Sequence, residues 1–312
     1  MIAAVIDHGS RHGVCVVNGD VNVSTDDTQF LFLDKCTAVK FSNSGDEIAI
    51  GRDTSITSVY RMNPNKVLLM CQCAATDHLF ACQPQAYAWS KYDQYLVAAC
   101  SGGYLTVTNV PKNSKYKIVK VSWSEIVAVA FSPNNGFLAC SGRESAVRIF
   151  TWPDLTPYME VGYSVSVRAI AWHPWESSVL CIGGGMNDGG ISIWNVQRHM
   201  CLAYRSINFV GTVDSIAWNK ITGELMVNWF VHERDQCYVA MPIYASLDRI
   251  TDAIVPALSK NRIFYTAWSP DGSHIACQAR ESVFMYNFLD EDTKERMNRK
   301  KKGITGTETR SK

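Results

Sequence analysis

The sequence has no long hydrophobic run and almost no net charge. None of its apolar stretches reaches the roughly 18 residues that a membrane-spanning helix requires, and no signal-peptide pattern opens the chain. Its 30 basic and 29 acidic residues leave a formal net charge of +1, so no overall charge attracts nucleic acid or anionic lipid. We therefore expect neither a membrane nor a nucleic acid among its partners.

Sequence signatures of catalysis are also missing. No local motif surrounds any serine, the seven histidines are scattered, and neither a Ser–His–Asp set nor a Cys–His pair stands out. The Gly183-Gly184-Gly185 run neither opens a helix nor carries the lysine of a phosphate-binding loop. We interpret it as a strand end, and we expect no catalytic residues, no cofactor and no enzyme activity.

The cysteines are the remaining candidates for a metal site. Eleven are present, mostly within apolar segments, which is typical of buried thiols in a reducing compartment, and we expect the nucleus and cytoplasm. Cys71, Cys73, His78 and Cys82 have nearly the spacing of a zinc knuckle. Because Cys71 and Cys73 lie in the apolar segment LLMCQC, we favour strand packing and predict no metal, with zinc as the alternative.

What the sequence does contain is one pattern written six times. A small or apolar residue precedes a large aromatic residue, which we call the anchor; a short polar turn and a run of apolar residues follow. The anchors stand 41 to 50 residues apart, at Phe41, Trp89, Phe131, Trp172, Trp218 and Trp268. A period in the forties is typical of a β-propeller, in which each repeat forms one four-stranded blade.

The columns around the anchors support this interpretation. The residues seven, eight and nine positions after each anchor are apolar in all six copies. A strand that is covered on both faces has such a continuous apolar run, as the middle strand of a blade does. Alanine precedes the anchor in five copies, as expected in a crowded inner strand.

The ends of the chain complete the architecture that we predict. A seventh copy starts the chain, with its turn at 7–10, VCVV as the next strand and VNVST after it. Only Trp194-Asn195 approaches the Trp-Asp pair that names WD repeats. We predict an all-β, seven-bladed WD-repeat β-propeller over residues 1–289. Residues 290–312 are charged and lack aromatics, which predicts a disordered basic tail; its ERMNRKKK segment is either solvated or a nuclear-import or acidic-partner patch.

Two segments resemble one family. VRAIAWHPWESSVLCIGGGMNDGGISIWNVQRHMCL is similar to a blade of the Fizzy family, the WD-repeat activators of the anaphase-promoting complex. AWSPDG, the strand after it and FLDEDTKERMNRKKK resemble the closing blade and basic exit of that family. The divergence points to an insect, meiosis-specific branch. The resemblance implies a non-catalytic subunit that binds degrons and directs cell-cycle proteins, such as cyclins, to ubiquitination by the anaphase-promoting complex.

The resemblance also implies two binding surfaces. Asp7 and Glu281 match acidic residues that the family places in a groove between the first and last blades. There they would receive the arginine of a destruction box, an Arg-x-x-Leu degron, through charge-assisted hydrogen bonds.

The second surface is the face that the family uses for the Lys-Glu-Asn degron. Arg262 matches the family's basic residue and Gln236 matches a polar contact. Arg143 and Ser145 stand where the family has asparagines. Because a cation disfavours the degron lysine, we expect the specificity of this face to differ.

Two alternatives stay open. The family's docking motifs for the ligase are missing from this chain, so a truncated isoform that binds substrates without activating the ligase is one of them. A generic WD-repeat scaffold in another assembly is the other. We also expect the last blade to have three strands and an exposed edge.

Overall fold

The computed structural model describes most of the chain from residue 2 to residue 288. The described ranges are 2–8, 11–17, 28–32, 35–62, 66–73, 82–186, 188–207, 209–233, 236–254, 262–279 and 282–288, with side chains from Lys35 onward except at Ser282. All strands and helices assigned within these ranges are β-strands. Accordingly, no helix in this part of the chain has the length and apolarity to cross a membrane. The predicted tail, 290–312, lies outside these ranges.

The strands form seven antiparallel sheets that follow one another along the chain. A three-stranded sheet stands at each end: β1 (Ile2–His8), β2 (Arg11–Val17) and β3 (Thr28–Phe32), then β24 (Ile263–Trp268), β25 (His274–Ala279) and β26 (Ser282–Asn287). The next two sheets are β4 (Cys36–Phe41), β5 (Glu47–Arg52), β6 (Ile56–Arg61) and β7 (Lys66–Gln72), then β8 (Pro84–Trp89), β9 (Tyr95–Cys100), β10 (Tyr104–Asn109) and β11 (Ser114–Lys120).

Three further four-stranded sheets lie between these and the last one. They are β12 (Ile126–Phe131), β13 (Phe137–Gly142), β14 (Ala146–Thr151) and β15 (Thr156–Gly162); β16 (Ala169–Trp172), β17 (Val179–Gly183), β18 (Ile191–Asn195) and β19 (Met200–Arg205); and β20 (Val210–Trp218), β21 (Leu225–Glu233), β22 (Gln236–Ser246) and β23 (Arg249–Ile254).

The first strand of each sheet is its inner strand. From β4 to β24, each inner strand lies beside the inner strand of the next sheet, and β1 lies beside β4. This arrangement confirms the prediction of an all-β propeller. Described side-chain packing covers six blades, from β4 to β26, whereas only the backbone of the first sheet is described. The predicted strand VNVST lies outside the described residues, and the third strand of the first sheet is β3 instead.

The core lies between the blades, as the three apolar columns predict. Ile48, Ala49 and Ile50 in β5 are completely buried. Ala49 and Val59 of one blade pack in the same cluster as Trp89 of the next. Other clusters join neighbouring sheets in the same way. The second strands are therefore apolar on both faces because each face contacts another layer of side chains.

Each tryptophan anchor also bonds one blade to the blade before it. The indole N–H donates to the backbone carbonyl of the residue just before the preceding anchor. The four pairs are Trp89 to Lys40 at 3.3 Å, Trp172 to Ala130 at 3.1 Å, Trp218 to Ala171 at 3.3 Å and Trp268 to Ala217 at 3.1 Å. The sequence pattern identified these residues as anchors but not as hydrogen-bond donors.

The turns after the anchors also connect neighbouring blades, by hydrogen bonds at the end where the anchors lie. The residue four positions after the anchor has a positive φ in four copies: Gly45, Asp93, Asn135 and Gly272. Glycine, asparagine and aspartate tolerate this backbone region best. The Asp93 carboxylate accepts the backbone N–H of Asn43 at 2.8 Å and that of Ser44 at 2.9 Å, both from the neighbouring blade.

Candidate functional site

Four of the six predicted binding residues share one face of the propeller. Arg143 and Ser145 belong to the hairpin between β13 and β14, Gln236 begins β22, and Arg262 immediately precedes β24. Antiparallel strands alternate in direction, so hairpins between second and third strands lie at the same end as the crossings from one blade to the next inner strand. We call this end the crossing face; the anchor turns lie at the opposite end.

Arg143 presents a cation on the crossing face, and Ser145 lies close to it in the chain. The Arg143 Nε donates to Glu125 Oε2 at 2.8 Å, while 75% of the arginine side chain is exposed. Ser145 is exposed, and its carbonyl accepts the backbone N–H of Tyr163 at 2.7 Å. The cation that the sequence predicts here is present, with a carboxylate partner that partly neutralises it.

Arg262 is held by a buried aspartate. Its Nε donates to Asp214 Oδ2 at 2.7 Å and its Nη2 donates to Asp214 Oδ1 at 2.6 Å. Only 3% of the Asp214 side chain is exposed, against 25% for Arg262. The hydrogen bonds to Asp214 raise the pKa of Arg262 against the opposing effect of burial. Asp214 occupies one edge of the guanidinium, so a ligand carboxylate would have to approach the Nη1 side.

Aromatic rings and polar groups complete the surroundings of Arg262. The guanidinium lies 4.9 Å from the ring centre of Phe230 and 5.6 Å from that of Phe264. The Asn228 Nδ2 donates to the Ile263 carbonyl at 2.7 Å. Gln236 is exposed at the start of its strand, where it pairs in register with Glu233.

Three side-chain bonds join the inner strands β20 and β24. They are the Arg262–Asp214 ion pair, the Ser215–Thr266 hydroxyl pair at 2.8 Å and the bond from the Trp268 indole to the Ala217 carbonyl. We call this set the β20–β24 clasp. It lies in the last two blades and orients the cation of Arg262.

Sequence reasoning overlooked Asp214, although a signal was present. Asp214 stands four residues before the anchor Trp218 and is the only acidic residue in that column. The other copies carry Thr37, Gln85, Val127, Arg168 and Phe264 there. The acid in this column pairs with Arg262, which immediately precedes the inner strand of the following blade.

Of the two predicted destruction-box residues, the structure describes the backbone of Asp7 but not Glu281. Asp7 is the next-to-last residue of β1, where its backbone pairs with that of His12 in the hairpin to β2. Glu281 lies outside the described residues. Its described neighbours Ala279 and Ser282 pair with each other at the end of β25 and the start of β26. The pairing of Asp7 and Glu281 with a degron stays a prediction.

One Ser–His–Asp group does occur in the last blade, and its arrangement is structural. Ser273 Oγ donates to Asp271 Oδ2 at 2.6 Å and contacts His274 Nδ1 at 2.6 Å. In a catalytic triad the histidine lies between an accessible serine and the acid. Here the serine is central and only 2% exposed. Hydrogen bonds from Ser269 and Ser273 lower the pKa of Asp271 to about 2, as expected for a carboxylate that organises a turn.

The structure separates Cys71 from Cys73 and Cys82, the other cysteines of the spacing that resembles a zinc knuckle. Buried Cys71 interacts with the Thr108 hydroxyl at 3.6 Å within its own packing layer. Cys73 and Cys82 instead meet Cys100, and all three Sγ atoms lie within 4.8 Å of one another. His78 lies outside the described residues. The spacing in the sequence made Cys71 a candidate ligand, whereas the third thiol of the cluster is Cys100 of β9.

The glycine run has a packing explanation. Gly183 is the last residue of β17, which confirms the prediction of a strand end. A Cβ on Gly184 would lie 2.7 Å from the Asp188 carboxyl carbon, and a Cβ on Gly185 would collide with the Ser166 carbonyl. These glycines therefore allow close approach of neighbouring groups within the protein.

Successive blades with polar hairpins on a common face define a β-propeller of the kind that serves as a binding platform. The WD domain, G-beta repeat family model matches residues 116–151. Over most of its length, the chain is similar to Protein cortex of Heliconius melpomene, with 28% identity, covering 82% of this chain and 59% of that protein. Protein cortex of Biston betularia is 26% identical, covering 88% and 63%.

The chain is also similar to cdc20 proteins from organisms other than insects. The anaphase-promoting complex subunit cdc20 of Dictyostelium discoideum is 22% identical, covering 96% of this chain and 60% of that protein. These similarities confirm the predicted resemblance to the Fizzy family of Cdc20-like proteins. The chain spans about three fifths of the length of these relatives. A chain in the crystal structure of the mitotic checkpoint complex has the same fold, with a TM-score of 0.77 at 21% identity over 92% of this chain and 84% of that one.

Proposed function

We propose that this chain is a substrate-recognition subunit, or activator, of the anaphase-promoting complex ubiquitin ligase. The similarity to cortex and cdc20 proteins over more than four fifths of the chain carries this proposal. In this role the propeller is a non-catalytic adaptor. It raises the local concentration of a degron-bearing substrate, such as a cyclin, at the ligase because it binds both.

The proposal includes a seven-bladed propeller over residues 1–289 and a disordered basic tail over 290–312. Seven sheets in sequence and the position of β1 beside β4 support the blade count. A chain of this kind would act in the nucleus and cytoplasm. The cysteine usage supports a reducing compartment of this type.

The first proposed surface receives the destruction box. Asp7 and Glu281 would each accept hydrogen bonds from the degron arginine, and a neighbouring apolar pocket would bury the leucine. Asp7 belongs to a first hairpin, the kind that lies at the anchor-turn end, whereas the described neighbours of Glu281 close a second hairpin, the kind that lies on the crossing face. One guanidinium need not contact both acids. The two acids are therefore tested both singly and together.

The second proposed surface is the crossing face. Arg143 offers an exposed cation where a degron lysine would have to bind. Arg262 would reach a degron carboxylate from the Nη1 side, because Asp214 already occupies the other edge. We propose that this face disfavours the Lys-Glu-Asn degron and selects a peptide with an acidic or neutral residue at the lysine position.

A fluorescent Arg-x-x-Leu peptide, titrated into the full chain and followed by anisotropy, tests the first surface. We expect saturable binding by the wild-type chain. Each charge reversal, Asp7→Lys or Glu281→Lys, removes charge-assisted hydrogen bonds of about 1.5–3 kcal/mol and weakens the Kd by roughly 10- to 100-fold. The double variant should abolish binding.

Asp248→Lys is the matched control, because Asp248 is an exposed acid in the hairpin between β22 and β23. It should bind like the wild type. A folded wild-type chain that does not bind, or a double variant that binds as tightly as the control, would contradict the destruction-box assignment. A generic WD-repeat scaffold would then be the better explanation. A stable complex of the chain with another protein, formed without a degron, would support it.

A further inference from the structure

Three thiols converge where the second sheet passes into the third. Cys73 follows the outer strand β7, Cys82 precedes the inner strand β8, and Cys100 ends β9. Their Sγ atoms all lie within 4.8 Å of one another. Cys82 and Cys100 are each 4% exposed, and Cys73 is half-buried. Groups that are distant along the chain thus meet at one point on the crossing face.

We propose that Cys73, Cys82 and Cys100 bind a zinc ion. Thiolate sulfur is a preferred ligand of Zn²⁺, with a Zn–S distance of about 2.3 Å, which places the sulfurs of a tetrahedral site about 3.8 Å apart. The observed limit of 4.8 Å is close to this spacing. A disulfide joins only two sulfurs, at about 2.05 Å, and does not account for a triangle of three.

The surroundings suit a small bound cation. Tyr104 and Ile118 pack in the same apolar cluster as the three cysteines. A small cavity of about 10 Å³, lined in part by Cys73 and Cys100, adjoins the cluster; this is close to the space that one water molecule needs. The ammonium of Lys120 lies 5.2 Å from the centre of the Tyr104 ring, which places a positive charge near a site that carries net negative charge when metallated.

The binding step balances in protons and charge. Zn²⁺ displaces one proton from each of the three thiols and forms three Zn–S bonds, which leaves a site of net charge −1 and a fourth position for water or another ligand. No oxidant or reductant takes part. The bound ion would join the outer strand of one blade to the first two strands of the next. This inference does not depend on the proposed function.

The test is the zinc content and cobalt spectrum of the full chain, purified without chelator under reducing conditions. We expect one zinc per chain. Cobalt substituted for zinc should show thiolate-to-metal charge-transfer absorption and the intense visible bands of tetrahedral coordination. Loss of an outer-shell group typically weakens metal binding 10- to 100-fold, so loss of a ligand in Cys82→Ala or Cys100→Ala should weaken it by more than about 100-fold.

Cys71→Ala is the matched control, because Cys71 is a buried cysteine two residues before Cys73 but outside the triangle. It should keep the zinc and the cobalt spectrum. Cys73→Ala serves as a third ligand variant, since its half-buried position makes it the least disruptive to folding. A wild-type chain without stoichiometric zinc and without charge-transfer bands would overturn the proposal. Equal metal loss in Cys71→Ala and in a folded Cys73→Ala would also overturn it.

Discussion

Trp172→Phe tests whether the anchor indoles bind the blades together. Trp172 is only 7% exposed. Its ring stacks on Phe137 of the preceding blade at 6.1 Å, and its N–H donates to the Ala130 carbonyl at 3.1 Å. Phenylalanine keeps an aromatic ring at the anchor position, as in the two copies that carry it naturally, and removes the donor. The change therefore removes the hydrogen bond that crosses between blades, together with part of the buried ring.

The expected loss of stability in Trp172→Phe has two contributions. The lost hydrogen bond is worth about 1 kcal/mol. The smaller ring buries about 40 Å² less apolar surface, which at 25 cal/mol per Å² adds about 1 kcal/mol. We expect the free energy of unfolding to fall by about 2 kcal/mol and the Tm to fall by several degrees. Trp123 is the matched control, because it is 86% exposed and Trp123→Phe should change stability by less than about 0.5 kcal/mol.

The assay is urea unfolding followed by far-ultraviolet circular dichroism, a probe that does not depend on the altered tryptophan. The urea midpoints of the wild type and both variants are compared. Equal slopes of the unfolding free energy against urea concentration show that all three unfold in the same transition. If Trp172→Phe is no less stable than Trp123→Phe, the indole bonds do not contribute to the cohesion of the blades, and the reasoning fails.

Two further predictions concern the clasp and the glycine run. Arg262→Ala should destabilise the chain by about 3 kcal/mol, because it leaves the buried Asp214 carboxylate without its cation; the mostly exposed Arg143→Ala should cost at most about 1 kcal/mol, and equal urea midpoints would contradict this account. Gly185→Ala should cost about 2–3 kcal/mol because its Cβ collides with a backbone carbonyl. An unchanged Tm in that variant would show that the contact is not restrictive.

The fold was predictable because its strongest signals are local and repeated. The anchors and the apolar columns reflect burial between blades, which every copy experiences. The outer strands were harder to predict: Ser114–Lys120 in β11 is largely exposed, and its polar sequence resembles a loop. The apolar columns predicted the start of β21, but not its extension to Glu233 or its pairing with the long strand β22.

The site was less predictable because its partners come from different copies. Arg262 was identified by resemblance, but its ion pair with Asp214 depends on the approach of β24 to β20. The cysteine cluster shows the same difficulty. Spacing in the sequence placed Cys71 beside Cys73, whereas β7 ends before Cys73 and the return of β9 brings Cys100 there instead. Local spacing cannot identify neighbours that the sheet order creates.

The β20–β24 clasp has a mechanical consequence. Its bonds are distributed along β24, from Arg262 just before the strand, through Thr266, to Trp268 at its end. A strand fixed at one point can rotate about that point, whereas a strand fixed at both ends cannot. The last blade should therefore keep a fixed angle to its neighbour, because rotation about any one of the three bonds is opposed by the other two.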